Sequence, residues 1–377
     1  MRGLAGRPAI IVGILRSAAF AVWNLDHSGM TANTLADPRL DLLTRWVGDE
    51  LKLTGAHIAP ASADASFRRY FRVLHAGQSF IVMDAPPAKE DLQPFLRVAQ
   101  MLIEVGVNVP TILACDLPRG FLLHSDLGSA PYLDALQAAS AAGDENRVET
   151  LYGDALESLL KIQARGAVAV LPQYDRAALV REMALMPEWF FDRHLRLTLE
   201  PSESSMLESL QELLVQSAAE QPARLVHRDY HSRNLMVCNR ANPGILDFQD
   251  ALNGPITYDL VSLLKDCYIL WPASQVRSWA LQYRQRLINA RIPAGRDDVQ
   301  FLQWFDWMGL QRHIKVLGIF ARLWYRDGKR GYLKDLPLVL DYVRETAQRY
   351  PQTAAFASFI ASRVDARFAE AQRRESA

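Results

Sequence analysis

"LVHRDYHSRNLMVCNRANPGILDFQD", residues 225–250, gathers His227, Asp229 and Asn234 on one short loop and returns to a second carboxylate, Asp247, thirteen positions after Asn234. "RLVHRD" reads as a short apolar strand ending at His227, and "YHSRN" as a loop carrying Asn234. "LMVC" and "GILDF" read as two short strands joined by the turn former "NRANPG". A hairpin of that kind returns Asp247 to the side of Asn234. Asn and Asp supply hard oxygen ligands, which suit magnesium. Asp229 is then placed as a base or orienting group, with His227 bracing the loop from behind. The bland alternative is an ordinary hairpin with satisfied polar residues.

Upstream of this stretch the texture is different. Asp37 followed by Pro38 makes a good N-cap and first helical residue, and Leu40, Leu43, Val47 and Leu51 recur at helical spacing to about Thr54. "AHIAP", "RRYFRVLHAG" and "QSFIVMDAP" are β-branched or aromatic runs between polar breaks, which predict three antiparallel strands. "KEDLQPFLRVAQMLIEVG" predicts a helix stopping at Gly106, and "PTILACD" and "GFLLHSDLG" two further strands. Beyond Gly128 come helices: "NRVETLYGDALESLLKIQ", "DRAALVREMALMPEWFFDRHL" and "SESSMLESLQELLVQSAAE", resuming from Tyr258 to the C-terminus. The fold class is therefore α+β, with a small five-stranded antiparallel N-terminal lobe over residues 30–126 and a larger, mainly helical lobe over 127–377.

Residues 1–29 read as a poorly ordered extension. Arg2, Arg7 and a short apolar run sketch a secretory signal, but Arg16 breaks the run and no cleavage site follows. The chain of 377 residues holds 42 Lys and Arg against 42 Asp and Glu, a formal net charge of zero. That balance argues against nucleic-acid or membrane-surface binding. Cys115, Cys238 and Cys267 are odd in number and lack metal-ligand spacing. They are expected to pack as small apolar residues in a reducing compartment, which makes a cytoplasmic protein the default.

"HRDYHSRN" followed by "DFQD" resembles the catalytic loop and metal-binding segment of the protein-kinase-like superfamily. "DFQDALNGPITYDLVSLLKD" runs almost directly into a helix, leaving no room for a peptide-docking loop, and so resembles the aminoglycoside phosphotransferase branch, which acts on small molecules. Asp259, in "TYDL", then reads as a structural residue holding the loop. "ADASFRRYFR", "IVMDAPP", "FLLHSDLG" and "MGLQRHIKVLGIFARLWYRDGK" narrow the resemblance to the bacterial anomeric amino-sugar kinases of peptidoglycan recycling. The resemblance implies a bilobal kinase-like fold, ATP and Mg2+ as cofactors, and Asn234 and Asp247 as metal ligands. It implies Asp229 opposite the hydroxyl of N-acetylmuramate or N-acetylglucosamine, and a sugar 1-phosphate passed to a uridylyltransferase. The alternatives are the same chemistry on an aminoglycoside, choline or another sugar, and a nucleotide-binding module without turnover.

Two superfamily features are missing. "SADASFRR" stands where a glycine-rich phosphate loop belongs, leaving backbone N–H groups with the Ser62 and Ser66 hydroxyls to cradle phosphate, or a plain hairpin turn. No Lys occurs between Lys52 and Lys89, so the strand lysine that pairs with phosphate is absent. Strand alternation puts Arg69 on the face of Phe71 and Val73, which makes it the candidate phosphate contact, the alternative being a solvated edge. Ser125, Asp126 and Leu127, in "HSDLG", fall where the lobes should meet and backbone groups would receive adenine. On the acceptor side, Trp304, Trp307, Gln311, Lys315 and Arg322 drift around one side of a long helix, with Arg312 and His313 also candidates. A core role for the aromatic residues is the competing reading.

Overall fold

The computed structural model describes residues 37–63, 67–165 and 169–376, the side chains of residues 62, 63 and 376 aside. The expected N-terminal extension, Ser66 and the Ser62 hydroxyl lie outside the described residues. The chain divides into two compact units. One holds the described residues up to Met101 together with Val109–Gly128, and the other Leu102–Asn108 with Ser129 onward. The sequence placed a single boundary at residue 126. The segment Leu102–Asn108 goes with the second unit because Asn108 is tied to that unit's backbone, its carbonyl accepting Ile245 N–H at 2.8 Å.

The first unit opens with α1 (Pro38–Arg45), capped by the Asp37 carboxylate accepting Leu40 N–H at 3.0 Å. The cap satisfies one of the donors that a helix start leaves orphaned. β1 (His57–Ala63), β2 (Arg69–His75), β3 (Gln78–Asp84), β4 (Ile112–Asp116) and β5 (Phe121–Ser125) form one antiparallel sheet in the order β1-β2-β3-β5-β4. β2 and β3 are joined by Ala76 and Gly77, both at positive φ (47° and 77°), the two-residue turn whose twist matches antiparallel strands. Period-2 alternation sends Phe71 and Val73 inward against Leu43, Trp46, Val47, Val82, Phe121 and Leu123. α2 (Gln93–Val105) ends at Gly106, whose φ of 84° suits a residue without Cβ.

The second unit begins with α3 (Tyr132–Ala141), α4 (Glu145–Ala164), α5 (Arg176–Met183) and α6 (Pro201–Ala219). The single helix expected over 175–195 divides. Beyond Met183 the chain winds as a π-helical segment, Met186–His194, with Pro187 in its first turn. Four short strands follow. β6 (Ala223–Val226) pairs with β9 (Leu252–Pro255), and β7 (Leu235–Met236) with β8 (Gly244–Ile245). Then come α7 (Tyr258–Leu264), α8 (Ala273–Asn289), α9 (Asp298–Tyr325), α10 (Leu336–Arg349), α11 (Ala354–Phe359) and α12 (Asp365–Ser376). α9 has 28 residues and is buried over most of its length, so it forms the axis of this unit. Gly318 lets it approach the start of the π-helical segment, since a Cβ there would sit 2.4 Å from the Leu185 carbonyl carbon.

Of the cysteines, only Cys267 is buried, while Cys238 is intermediate and Cys115 exposed. The expectation that all three pack as apolar residues is corrected to one. Among the described residues no helix is long and apolar enough to cross a membrane.

Candidate functional site

The loop between β6 and β7 is held by carboxylates from the helical part that follows it. Asp259, on the first turn of α7 and fully buried, accepts His227 N–H at 2.7 Å on one oxygen and Arg228 N–H at 2.9 Å on the other. Asp266 accepts both the backbone N–H (2.9 Å) and the hydroxyl of Ser232. Two buried acids thus fix both ends of the segment that carries Asp229. The His227 ring, fully buried, has its basicity pushed down to about 4 by that burial, so it is neutral near pH 7. Its Nδ1 accepts Asp229 N–H at 3.3 Å, which leaves the proton on Nε2.

The β7–β8 hairpin closes the site. Leu246 N–H donates to the Asn234 carbonyl at 2.9 Å, and Asn234 Nδ2 donates to the Asp229 carbonyl at 3.1 Å and to Asp247 Oδ2 at 3.3 Å. Gln249 Nε2 donates to Asp247 Oδ1 at 2.8 Å. Arg228 and Asp247 both adopt left-handed backbone, at φ 81° and 61°. Non-glycine residues pay for that geometry with strain, which the bonds around them enforce. The structure therefore brings Asp229, Asn234 and Asp247 together on two adjacent loops.

The donor set fits a magnesium ion. Both amide hydrogens of Asn234 are engaged, while its Oδ1 accepts no hydrogen bond among the described residues. Among those residues no group of three or more His, Cys, Asp or Glu could enclose a metal. One amide oxygen and one carboxylate suit an ion that takes its remaining ligands from phosphate and water.

Burial alone works to raise the Asp229 carboxyl. The positive charge of Lys315, with His231, Arg312 and Arg228, outweighs it and holds the group below the usual carboxylate range. A depressed carboxyl stays ionised as pH falls, so no loss of activity between about pH 5 and 7 is expected from Asp229. The check is a kcat profile for the native chain and Asp229→Glu. An acid limb in that window whose midpoint moves with the substitution would contradict the assignment.

The cations around Asp229 are organised by an acid that sequence reading did not single out. Glu182, on α5, accepts from Arg228 and from the Tyr174 hydroxyl, and pairs with Lys315 at 3.2 Å. Lys315 also donates to the Tyr258 hydroxyl at 3.0 Å, and Gln311 to that of Tyr174 at 3.2 Å. Nothing in "REMALM" marks Glu182 as special; only the packing of α5 on α9 reveals it. Of the other acceptor-side candidates, Trp304 and Trp307 are core residues, and His313 is fully buried with its ring stacked on Tyr342 at 4.7 Å. Arg322 is partly buried toward the far end of α9, seven residues beyond Lys315.

In the first unit the candidate nucleotide contacts are differently disposed. Arg69 does lie over the Phe71 ring, at 5.5 Å. Its guanidinium is engaged by Asp84 (Nε, 3.0 Å) and by Asp37, in an ion-pair cluster of which only Asp84 is buried. The Asp126 carboxylate is taken by Arg72 (2.7 Å), the Ser79 hydroxyl and Gly128 N–H (2.9 Å). The Ser125 hydroxyl accepts Thr111 N–H at 2.9 Å. These side chains hold the end of β5 in place, and Leu127, between Asp126 and Gly128, is partly buried.

A five-stranded antiparallel sheet followed by a mainly helical unit is the layout of the protein-kinase-like phosphotransferases. The sequence profile of the phosphotransferase enzyme family matches residues 57–302, and the chain belongs to that family. It is 44% identical to the N-acetylmuramate/N-acetylglucosamine kinase of Pseudomonas putida over 86% of this chain and 96% of that one. It is 46% identical to the kinase of the same name from Pseudomonas aeruginosa, over 81% and 88% of the two chains. Among solved structures, a Plasmodium vivax ethanolamine kinase superposes with a TM-score of 0.56 at 10% identity, covering 84% of this chain and 89% of that one. A GDP complex of an aminoglycoside 2'-phosphotransferase gives 0.53 at 16% identity, covering 83% and 100%. The fold is therefore kinase-like, and the protein is a phosphotransferase with a hydroxyl acceptor.

Proposed function

We propose that this protein transfers the γ-phosphoryl group of ATP to the anomeric hydroxyl of N-acetylmuramate and N-acetylglucosamine. The product is a sugar 1-phosphate for peptidoglycan recycling, the substrate of a uridylyltransferase, and the reaction belongs in the cytoplasm. The observation that carries this reading is the likeness, over nearly its whole length, to kinases bearing that name. The convergence of Asp229, Asn234 and Asp247 supports it.

In this mechanism Asp229 accepts a hydrogen bond from the C1 hydroxyl and orients its oxygen for in-line attack. An anomeric hydroxyl is more acidic than other sugar hydroxyls, so a weakly basic carboxylate suffices and takes the proton late. Asn234 and Asp247 would hold magnesium, which when bound supplies charge neutralisation on the phosphate oxygens. His227, Asp259 and Asp266 keep the loop in one conformation, so little reorganisation is left for the reaction itself. Positioning and electrostatics account for most of the catalysis in phosphoryl transfer. The test is ADP release from purified protein offered ATP, Mg2+ and, in parallel, N-acetylmuramate, N-acetylglucosamine, choline and an aminoglycoside. Turnover confined to the two amino sugars supports the proposal; turnover confined to choline or the aminoglycoside refutes it.

A further inference from the structure

The charge on a transferring phosphoryl group must be met by fixed cations, and the first unit has few to offer. It lacks the strand lysine, and Arg39, Arg68, Arg69, Arg72 and Arg119 are each paired with a carboxylate. The second unit holds a different kind of cation. Arg312, on α9, is only 4% exposed, yet among the described residues it makes no ion pair. Its one hydrogen bond runs from Nη1 to the Cys267 sulfur at 3.3 Å, and a thiol is a weak acceptor. A guanidinium that deeply buried is ordinarily matched by a carboxylate.

The surroundings fix where this cation sits. Cys267 follows Asp266, whose carboxylate holds Ser232 on the loop that carries Asp229. One turn along α9, Lys315 is already engaged by Glu182 and Tyr258, and Glu182 also takes Arg228. The two other cations flanking Asp229 therefore have a carboxylate partner, whereas Arg312 forms no ion pair of its own among the described residues. Asp229 and Asp266 lie within its electrostatic reach, but neither forms a hydrogen bond to it. A planar fork within electrostatic reach of the Asp229 carboxylate matches two oxygens of a phosphate.

We propose that Arg312 binds the transferred phosphoryl group, holding two of its oxygens in the transition state and in the product. The inference rests on the reading of Asp229 as the residue that orients the acceptor hydroxyl. In the step, the acceptor oxygen forms a bond to the γ-phosphorus as the bond from that phosphorus to the β-bridging oxygen breaks. The electron pair leaves on ADP, the hydroxyl proton passes to Asp229, and Arg312 keeps its protons throughout.

The test compares N-acetylglucosamine 1-phosphate with N-acetylglucosamine as ligands of the full chain by calorimetry, in the native protein, Arg312→Met and Arg312→Lys. The native protein is expected to bind the phosphate ester at least about tenfold tighter, and Arg312→Met to lose that preference. Its kcat should fall about 10²–10³-fold on both amino sugars alike, with partial recovery in Arg312→Lys. A phosphate preference retained in Arg312→Met overturns the proposal. So does a loss confined to N-acetylmuramate, which would mean that Arg312 reads the acceptor carboxylate instead. Equal weakening of both ligands with a lowered Tm would reduce Arg312 to a structural residue. Should Arg312→Met fail to fold, Arg312→Lys and the native comparison decide, since a phosphate ester bound no tighter than the sugar also overturns the proposal. Turnover of the amino sugars by the native protein is read first. Its absence sinks the substrate reading alone, and Arg312 is then tested with inorganic phosphate, which should bind the native protein and not the methionine variant.

Discussion

Asp229→Asn is expected to lower kcat by about 10²–10⁴-fold while leaving ATP affinity nearly unchanged. The substitution is isosteric, so the backbone bond from residue 229 to His227 Nδ1 and the Asn234 bond to its carbonyl both survive. What is lost is an anion able to orient the acceptor hydroxyl and finally take its proton. The positive groups that hold Asp229 ionised remain, and an amide beside Lys315, Arg312 and Arg228 has no charge to answer them. The magnesium-bound nucleotide that Asn234 and Asp247 are proposed to hold does not depend on that charge. Steady-state kinetics together with equilibrium ATP binding separate the two effects. Full activity in the variant ends the assignment of Asp229.

A comparable loss is expected at Asp247, for a different reason. Asp247→Asn removes one negative charge from the proposed magnesium site but keeps a residue type that tolerates the left-handed backbone at φ 61°. Alanine would add strain there and blur the result. A metal-bound phosphate is stabilised by several kcal/mol, so turnover should fall by about 10³-fold or more, equal to about 4 kcal/mol. The distinguishing readout is the magnesium titration: the midpoint of activation should move to higher concentration, and magnesium should no longer strengthen ATP binding. An unchanged magnesium dependence would show that the metal is held elsewhere.

How far these roles could be read from the chain depended on the range of the interactions involved. The hairpin returning Asp247 to Asn234 was legible because its signals are local: two apolar pairs around a turn former of six residues. Asp259 was legible only through the family resemblance of the segment around it, since the backbone groups it holds, at His227 and Arg228, lie 32 and 31 positions away. β9 was not, since "ALNGPIT" is rich in Asn, Gly and Pro and reads as a turn; it forms a strand only because β6 supplies the backbone partner. Arg69 shows the limit within one residue. Alternation put it on the correct face, but its carboxylate partners lie 15 and 32 positions away and come from separate elements. The α9 candidates show it again. Helical spacing named Gln311 and Lys315 together, with Arg312 as a further candidate, and only the packing of α5 and α7 decided which cation is matched by a carboxylate and which is not.

The most direct test of the whole account is the position of the transferred phosphate. Purified protein, ATP, Mg2+ and N-acetylglucosamine or N-acetylmuramate are incubated together, and the product is examined by proton and phosphorus NMR. A product whose anomeric proton is coupled to phosphorus is expected, with equimolar ADP and no product from Asp229→Asn on the same timescale. A phosphate found on any other hydroxyl, or none on either amino sugar while an aminoglycoside is phosphorylated, would contradict it.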